Sequence, residues 1–214
     1  MRHVIEAAKQ IIIKSSNMKG SDFPPLFIDL FTKTMGMDEH EFELFCSHFR
    51  EITLRKKDYY LKEGSISNAK AYVKKGCSRT FIIDENGKEH ILFFAFEDWW
   101  LADFESYHSG NPGKQYVQAL EDMELLVISK QDFVKVETEI PKMRLWYEVK
   151  QRKMNIAMIN RLSEVKSGTC EERYFKLLDK HPEIFQRVPL QYIASYLDIE
   201  PQSLSRLRNR IIRK

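Results

Sequence analysis

The amino-acid sequence predicts an α+β fold: an N-terminal antiparallel β-barrel of the jelly-roll kind, a long helix, and a C-terminal all-α helix-turn-helix domain. Three observations predict it. Short strand patterns recur between Ile52 and Ser129, a helical pattern without glycine extends from Glu139 to Lys166, and two short helical patterns meet at a tight turn between Leu190 and Lys214. Strands at regular spacing with glycine at their corners are typical of a sandwich or a jelly-roll barrel.

These patterns predict four parts of the chain. Residues 1–21 form a lead-in that is either disordered or helical, and residues 22–138 form the barrel together with N-terminal helices. Residues 139–166 form the long helix, and residues 167–214 form the helix-turn-helix domain. A chain of 214 residues is long enough to bury a core in such an arrangement.

Two helical patterns precede the strands. The first, Phe23–Met35, has apolar residues at helical spacing. Asp38 is placed to cap the second, because Glu41 stands three residues later and completes a capping box. The second helix carries three aromatic residues at helical spacing: Phe42, Phe45 and Phe49. We expect these aromatic side chains to pack in the core.

The strand patterns cover most of the chain between the two helical regions. Six segments have them: Lys57–Leu61, Ala71–Val73, Ser78–Ile83, Glu89–Phe94, Gln115–Ala119 and Leu125–Ile128. The sequence Asp84-Glu85-Asn86-Gly87 lies between the third and fourth segments and is a favourable hairpin turn. We therefore expect these two segments to form a β-hairpin.

The long helix carries an apolar stripe near heptad spacing. Its members are Trp146, Val149, Ile156, Ile159 and Leu162. Such a stripe can pack on the barrel of its own chain. A helix of this length beside a small barrel more often finds a partner helix, so we expect a parallel dimer seam.

The C-terminal segment has the pattern of a helix-turn-helix. A short helix begins at Leu190 and places Ile193, Ala194 and Leu197 on one face. After a three-residue break, a second helix opens with Pro201, where a proline loses no hydrogen bond. Two short helices joined by a tight turn, the second of them basic, place a helix N-terminus in the major groove of DNA.

The second helix of this motif has one face for the core and another for DNA. Leu204, Leu207 and Ile211 recur at helical spacing and should face the first helix. Base-reading candidates lie at the exposed N-terminal face: Gln202, Ser203 and Arg206. Candidates for phosphate contacts lie at the sides: Ser205, Arg208 and Arg210. The alternative is a basic helix that is merely solvated.

Basic residues concentrate in the last third of the chain, although the net charge is only +3. Between Lys142 and Lys166, seven Lys or Arg stand against two Glu. Between Val188 and Lys214, five stand against two acidic residues. Basic charge concentrated at one end fits an end that faces DNA.

Several classes of function lack their residues in this sequence. No nucleophile beside a base and no phosphate-binding glycine loop is visible, so we predict no catalytic site and no enzyme. Three distant cysteines, Cys46, Cys77 and Cys170, predict reduced thiols in the cytoplasm and no metal site. The apolar run Ile11–Ile13 is too short to cross a membrane, so we expect no membrane partner.

Several short motifs connect these parts to a known family. In the barrel they are Tyr60-Leu61-Lys62-Glu63-Gly64, Val73-Lys74-Lys75-Gly76, Asp84 to His90, Phe93 to Trp100 and Ala119-Leu120-Glu121-Asp122. In the helix-turn-helix they are Ile193-Ala194-Ser195-Tyr196-Leu197 and Ser203-Leu204-Ser205-Arg206. These motifs and the order of the parts resemble the Crp/Fnr family of bacterial transcription regulators, over roughly residues 37 to 212.

The resemblance implies a cyclic-nucleotide-binding-like sensor barrel, a homodimer, and binding to a near-palindromic site on double-stranded DNA. It also implies a small-molecule effector and RNA polymerase as partners. By position, Gln202, Ser203 and Arg206 match the base-reading residues of the family. The alternative is a small-molecule-binding or protein-interaction module whose helix-turn-helix does not read DNA.

The expected effector pocket departs from the family pattern. Leu101-Ala102-Asp103-Phe104 stands where members that bind cyclic AMP have a Gly-Glu-Leu step, and Gly113 stands near the position of their phosphate-binding arginine. Without that arginine a buried phosphate lacks its bidentate partner, and Lys114 is not equivalent. We therefore do not expect cyclic AMP as the ligand. Candidate pocket residues, which hold an apolar effector or are packed shut, are Phe94, Trp99, Trp100, Asp103, Phe104, Lys114 and Tyr116.

Overall fold

The computed structural model describes residues 12–15 and 18–212 of the chain. In chain order, its strands are β1 (Ile12–Ser15), β2 (Phe49–Leu54), β3 (Tyr59–Leu61), β4 (Ala69–Lys75), β5 (Ser78–Ile83), β6 (Glu89–Ala95), β7 (Trp100–Leu101), β8 (Tyr116–Ala119) and β9 (Met123–Ser129). Its helices are α1 (Pro25–Asp29), α2 (Glu39–Ser47), α3 (Phe104–Ser109), α4 (Lys130–Glu139), α5 (Lys142–Ser167), α6 (Cys170–Lys180), α7 (Ile184–Arg187), α8 (Leu190–Tyr196) and α9 (Pro201–Ile212). A short 3-10 turn precedes α1, and a π-helical turn follows it.

The described residues form two compact units. The first comprises the residues up to Thr80 together with Phe94–Glu148. The second comprises Phe81–Phe93 together with the residues from Val149 onward. The tip of the β5–β6 hairpin therefore belongs to the same unit as the C-terminal helices.

The strands form a five-stranded sheet in the order β1-β2-β9-β4-β7 and a four-stranded sheet in the order β3-β8-β5-β6. Every neighbouring pair in the five-stranded sheet is antiparallel. The pairing of β2 with β9 is continuous from Phe49 opposite Ile128 to Leu54 opposite Met123. The predicted α+β class, with an antiparallel barrel before C-terminal helices, is confirmed.

An aromatic cluster in the first unit packs α1 and α2 against the five-stranded sheet. At its centre, the ring of Phe27 stacks on that of Phe45, with centroids 5.8 Å apart and an interplanar angle of 9°. Tyr72 meets Phe27 edge-on at 4.9 Å. Trp146 joins through Phe31, with centroids 5.0 Å apart. The prediction that the aromatic residues of α2 pack in the core is confirmed, and Trp146 belongs to this core instead of the dimer stripe that we expected.

The predicted capping box at the start of α2 is present. Asp38 Oδ1 accepts a hydrogen bond from the Glu41 N–H at 2.8 Å, and Glu41 Oε2 accepts one from the Asp38 N–H at 2.9 Å. Lys142 Nζ donates to the same Glu41 oxygen at 2.7 Å. This ammonium group, together with the Asp38 N–H, holds the pKa of Glu41 below its ordinary value.

The predicted β5–β6 hairpin is also present. Asp84 Oδ1 accepts hydrogen bonds from the N–H groups of Asn86 at 2.9 Å and Lys88 at 3.0 Å. Gly87 adopts a φ of 79°, which a residue with a side chain rarely tolerates. His90 Nε2 lies 2.7 Å from Asp84 Oδ2, so the two side chains tie the turn to the start of β6.

Part of the expected lead-in is a strand and not a helix. Residues 12–15 form β1, which pairs with β2 in antiparallel register, with Ile13 opposite Ile52. The β-branched run in this segment favours an extended strand, and the edge of β2 supplies its hydrogen-bond partners. The expectation for residues 1–11 and 16–17 lies outside the described residues.

The start of β2, the helices α3 and α4, and the start of the long helix also differ from what the sequence predicts. Phe49 is the first residue of β2 and does not extend the preceding helix. Helices α3 and α4 replace segments without a predicted element, and the Ser129 hydroxyl caps α4 by accepting from the Asp132 N–H at 3.0 Å. The long helix begins at Lys142, because Pro141 separates it from α4.

Lys70 of β4 is buried in an aromatic cage of the first unit, with only 3% of its surface exposed. Its Nζ lies 3.5 Å from the ring centroid of Tyr147, 3.6 Å from that of Phe133 and 4.7 Å from that of Tyr107. Among the described residues this Nζ has no hydrogen-bond partner. Burial lowers the pKa of Lys70 to about 7, against the opposing attraction of Glu137.

Replacing Lys70 with Met should stabilise the protein, most strongly at low pH. In the native state, burial disfavours the charged form of Lys70 and lowers its pKa to about 7. In the unfolded chain, the pKa of the lysine is roughly 10.4. The gain in the free energy of unfolding should therefore be constant below pH 7. It should shrink between pH 7 and about 10.4 by ~1.4 kcal/mol per pH unit. Urea unfolding at several pH values measures it.

Lys135→Met is the matched control, because it makes the same change at an exposed position of α4. We expect a small difference from the wild type that does not vary over this pH range. A Lys70→Met variant whose stability followed that of the wild type at every pH would contradict the inferred pKa of Lys70.

Candidate nucleic-acid interface and effector pocket

Helices α8 and α9 of the second unit form the predicted helix-turn-helix. The turn between them passes through Asp198, which adopts a φ of 54°. The Ile199 N–H donates to the carbonyl oxygen of Ala194 at 3.1 Å, and the Ser203 N–H donates to that of Glu200 at 2.9 Å. These bonds end one helix and start the next within four residues, so the turn between the two helices is tight.

The inner face of α9 is apolar, as predicted. Leu204 and Leu207 are buried, and so are Ile193, Ala194 and Leu197 of the preceding helix and turn. Burial of this set holds α9 against α8. The third predicted core position, Ile211, is only half-buried.

The three base-reading candidates share the outer face of α9. Gln202, Ser203 and Arg206 are all exposed, and they occupy the first two turns of the helix. The side chains that face solvent at the N-terminal end of a recognition helix are those that contact base edges. Their exposure makes them available to DNA, and their base-reading role stays a prediction.

The three phosphate candidates have different environments: Arg210 is exposed, while Ser205 and Arg208 are half-buried. The guanidinium carbon of Arg208 lies 4.7 Å from the ring centroid of Phe185, and Arg210 forms an ion pair with Glu171. Both arginines therefore have protein partners in this conformation, and each must leave its partner to reach a phosphate.

Two arginines that sequence reasoning missed hold the C-terminal end of α8. Arg161 of the long helix donates from Nη2 to the Tyr196 carbonyl oxygen at 3.0 Å, and its guanidinium carbon lies 3.5 Å from the Tyr196 ring centroid. Arg173 of α6 donates from Nε to the Leu197 carbonyl oxygen at 3.1 Å and from Nη1 to that of Gly168 at 2.7 Å. The last carbonyl groups of a helix lack intrahelical partners, and cationic donors satisfy them well.

In the first unit, the seven predicted pocket residues have different environments. Trp100 packs in the aromatic cluster, 5.4 Å from the Tyr72 ring centroid, while Trp99 is 44% exposed. Lys114 is exposed, and the Tyr116 hydroxyl donates to Glu63 Oε2 at 3.1 Å. Phe94 and Asp103 are buried and Phe104 is half-buried. Trp100 thus packs against the core, and the role of the other six residues in a pocket stays a prediction.

Asp103 is the N-cap residue of α3. It is 3% exposed, and its Oδ1 accepts a hydrogen bond from the Ser106 N–H at 3.1 Å, which caps α3. A Cβ atom placed on Gly113 would clash with Asp103 Oδ2 and would lie 3.0 Å from its Cγ. The Asp103 carboxylate therefore occupies the space beside Gly113 that a side chain there would need.

Backbone hydrogen bonds fix the segment that contains Gly113. The Gly113 N–H donates to the Ser65 carbonyl oxygen, and the Gly64 N–H donates to the Gly113 carbonyl oxygen, both at 2.9 Å. The Ser106 hydroxyl accepts from the Ser67 N–H at 2.9 Å and donates to the Asn111 carbonyl oxygen at 2.5 Å. The loop before β8 is thus held to the chain that follows β3.

Gly113→Ala should lower the free energy of unfolding by about 1–2 kcal/mol, because the added methyl group displaces Asp103 from the cap of α3. Urea unfolding at neutral pH measures the loss. In an Asp103→Ser background the same change should cost much less, since a serine can cap without reaching the glycine. Equal costs in the two backgrounds would contradict the contact between Asp103 and Gly113.

Residues 12–15 and 18–212 contain neither a membrane-spanning helix nor a cluster of metal-binding side chains. No helix within these ranges is long and apolar enough to cross a membrane. Within the same ranges, His, Cys, Asp and Glu side chains form no group of three or more that could hold a metal ion.

Comparisons with known proteins concern the barrel and the fold. Residues 51–138 match the family model described as the cyclic nucleotide-binding domain. A search of curated protein sequences gave no match.

Three solved structures are similar in fold. FixK2 from Bradyrhizobium japonicum is 15% identical, with a TM-score of 0.64 over 75% of this chain and 83% of that chain. The c-di-GMP-responsive global regulator CLP from Xanthomonas campestris is 13% identical, with a TM-score of 0.66 over 81% and 91%. A CooA mutant from Carboxydothermus hydrogenoformans is 18% identical, with a TM-score of 0.63 over 94% and 87%. Similarity at these identities shows the fold.

Proposed function

We propose that this chain, whose residues 51–138 are of the cyclic nucleotide-binding domain family and whose fold is that of Crp/Fnr regulators, is itself a DNA-binding transcription regulator. The observation that carries the proposal is the two-faced helix α9. Its inner face is buried through Leu204 and Leu207, while Gln202, Ser203 and Arg206 project from its outer face.

The chemistry of this outer face suits base reading. An arginine binds guanine through O6 and N7, and a glutamine binds adenine through N6 and N7. Because Gln202 and Ser203 are in the first turn and Arg206 is in the second, neighbouring base pairs come within reach of one helix. The first helix of such a motif crosses the DNA backbone and positions the second.

An exposed apolar stripe on the part of α5 in the second unit supports a homodimer. Val149 is 40% exposed, Ile156 59%, Ile159 64% and Leu162 58%. Apolar side chains at this spacing on one helix are covered when a second copy packs alongside in a parallel coiled coil. Two-fold symmetry then requires a near-palindromic DNA site, with half-sites about 34–36 Å apart.

We also propose that the barrel does not bind cyclic AMP. Gly113 lies near the position that the resemblance gives to the phosphate-binding arginine, and the Asp103 carboxylate occupies the space beside Gly113. Lys114 is exposed at the next position. A buried cyclic phosphate would therefore lack a bidentate partner, which leaves an apolar effector or a permanently closed barrel.

Selection of bound duplexes from a random DNA library tests the main proposal. We expect the purified protein to enrich a motif with two-fold symmetry at moderate salt, without an added ligand, because Gln202, Ser203 and Arg206 are exposed in this conformation. Absence of any enriched motif, with and without candidate effectors, would favour the alternative of a protein-interaction or small-molecule-binding module.

Arg206→Ala and Arg208→Ala form a matched pair on α9. Arg206→Ala should cost roughly 1–3 kcal/mol on the selected site and relax the preference at one base pair. Arg208→Ala should weaken binding to all sequences about equally, since a phosphate contact carries no sequence information. Competition titrations with single-base variants of the site measure both. Equal loss on all sequences for Arg206→Ala would remove its base-reading role.

Replacing Ile156 and Ile159 together with Glu should give monomers, because like charges then face each other across the seam. Light scattering on a sizing column measures the mass. Asn155→Glu with Asn160→Glu is the control, since both residues lie on the same helix, are exposed and are polar. Monomers from the control variant, or an unchanged mass for the isoleucine variant, would contradict the proposed seam.

A further inference from the structure

The edge of β6 has an unusual hydrogen-bond partner in the second unit. Strand β6 is last in the order of its sheet, so one of its edges has no neighbouring strand among the described residues. On that edge, the Ile91 N–H donates to Ser195 Oγ at 3.1 Å, and the Ser195 hydroxyl donates to the Glu89 carbonyl oxygen at 3.2 Å. A single side chain of α8 thus satisfies a donor and an acceptor of an open strand edge.

These contacts border a cleft of about 460 Å³. One wall comprises Lys88 and the start of β6, from Glu89 to Ile91. The other wall includes Gln191 and Tyr192 of α8 and the turn from Asp198 to Pro201 that opens the recognition helix. The strand edge therefore faces the same turn that a helix-turn-helix brings to DNA.

Strand β6 lies beside the path that we expect a bound duplex to take. A recognition helix enters a major groove about 12 Å wide, and a sugar-phosphate strand borders the groove on each side. We expect one of these strands to pass beside the N-terminal turn of α9, and β6 lies across the cleft from Asp198 and Pro201. Glu89 also adds a carboxylate to a cleft that already has Asp198 and Glu200, and carboxylates repel phosphates.

We propose that Ser195 is a latch residue: its hydroxyl holds the β5–β6 hairpin against the helix-turn-helix, and DNA binds only after these two hydrogen bonds break. The proposal rests on the proposed function, because it describes how DNA binding by this chain is restrained. The closed state is only weakly favoured by these two hydrogen bonds, because each contributes about 1 kcal/mol net to its stability. Binding of an effector or of DNA can therefore break them.

The test compares DNA binding by the wild type, Ser195→Ala and Ser195→Thr at one salt concentration. Ser195→Ala should bind the selected site about five- to thirtyfold more tightly, since the competing closed state loses one or two hydrogen bonds. Ser195→Thr keeps the hydroxyl and should bind like the wild type. Gln191→Ala is the control on α8: it raises helix propensity on the same cleft wall without removing the latch, so it should bind no more tightly.

Hydrogen exchange of the Ile91 amide gives a readout that does not need DNA. This amide should be protected in the wild type and in Ser195→Thr, and it should exchange faster in Ser195→Ala. Equal exchange in all three proteins would overturn the latch, because the hydrogen bond would be absent in solution. Faster exchange with unchanged or weaker DNA binding by Ser195→Ala would overturn its control of DNA.

The two readouts separate failure of the latch from failure of the proposed function. If the wild type enriches a motif and Ser195→Ala binds that motif about five- to thirtyfold more tightly, both proposals are supported. If no variant binds any duplex although Ile91 is released in Ser195→Ala, the proposed function fails and the regulatory role of Ser195 fails with it.

Discussion

Two guanidinium groups hold the carbonyl end of α8, and the placement of α9 depends on them. Arg161 and Arg173 bond to consecutive carbonyl oxygens, those of Tyr196 and Leu197, immediately before the turn. The next residue, Asp198, is already in the left-handed conformation that redirects the chain into α9. Since Arg161 belongs to α5, the long helix is tied to the end of α8 by a charged hydrogen bond, which is stronger than a neutral one.

The same end of the molecule carries the opposing restraint. Ser195 lies one residue before Tyr196, so the latch to β6 and the clamp from α5 act on neighbouring positions of one short helix. Both contacts are present together in this structure, one from the long helix and one to the β5–β6 hairpin. Under the proposed latch, a movement of α5 would act on Tyr196, one residue from the hydroxyl that holds β6.

Sequence patterns predict hydrogen bonds correctly where the two bonded residues are close along the chain. Asp38 and Glu41 of the capping box are three positions apart, and the Asp84–Gly87 turn joins adjacent strands, so each pattern contains its whole interaction. The partners of Arg161 and Ser195 lie 35 and 104 residues away. No local pattern encodes such pairs, because only the tertiary fold decides which surface arginine or serine meets a free backbone group.

The close packing of Gly113 against Asp103 limits which substitutions the proposed effector pocket tolerates. The Asp103 carboxylate fills the space that any side chain at position 113 would enter, and it also caps α3. A single substitution at either position loses a cap or creates a clash, while a paired substitution avoids the clash. The first substitution on a path to a phosphate-binding arginine at position 113 would therefore lower the free energy of unfolding. A laboratory attempt to give this barrel a cyclic-nucleotide ligand should begin from a library in which both codons vary together.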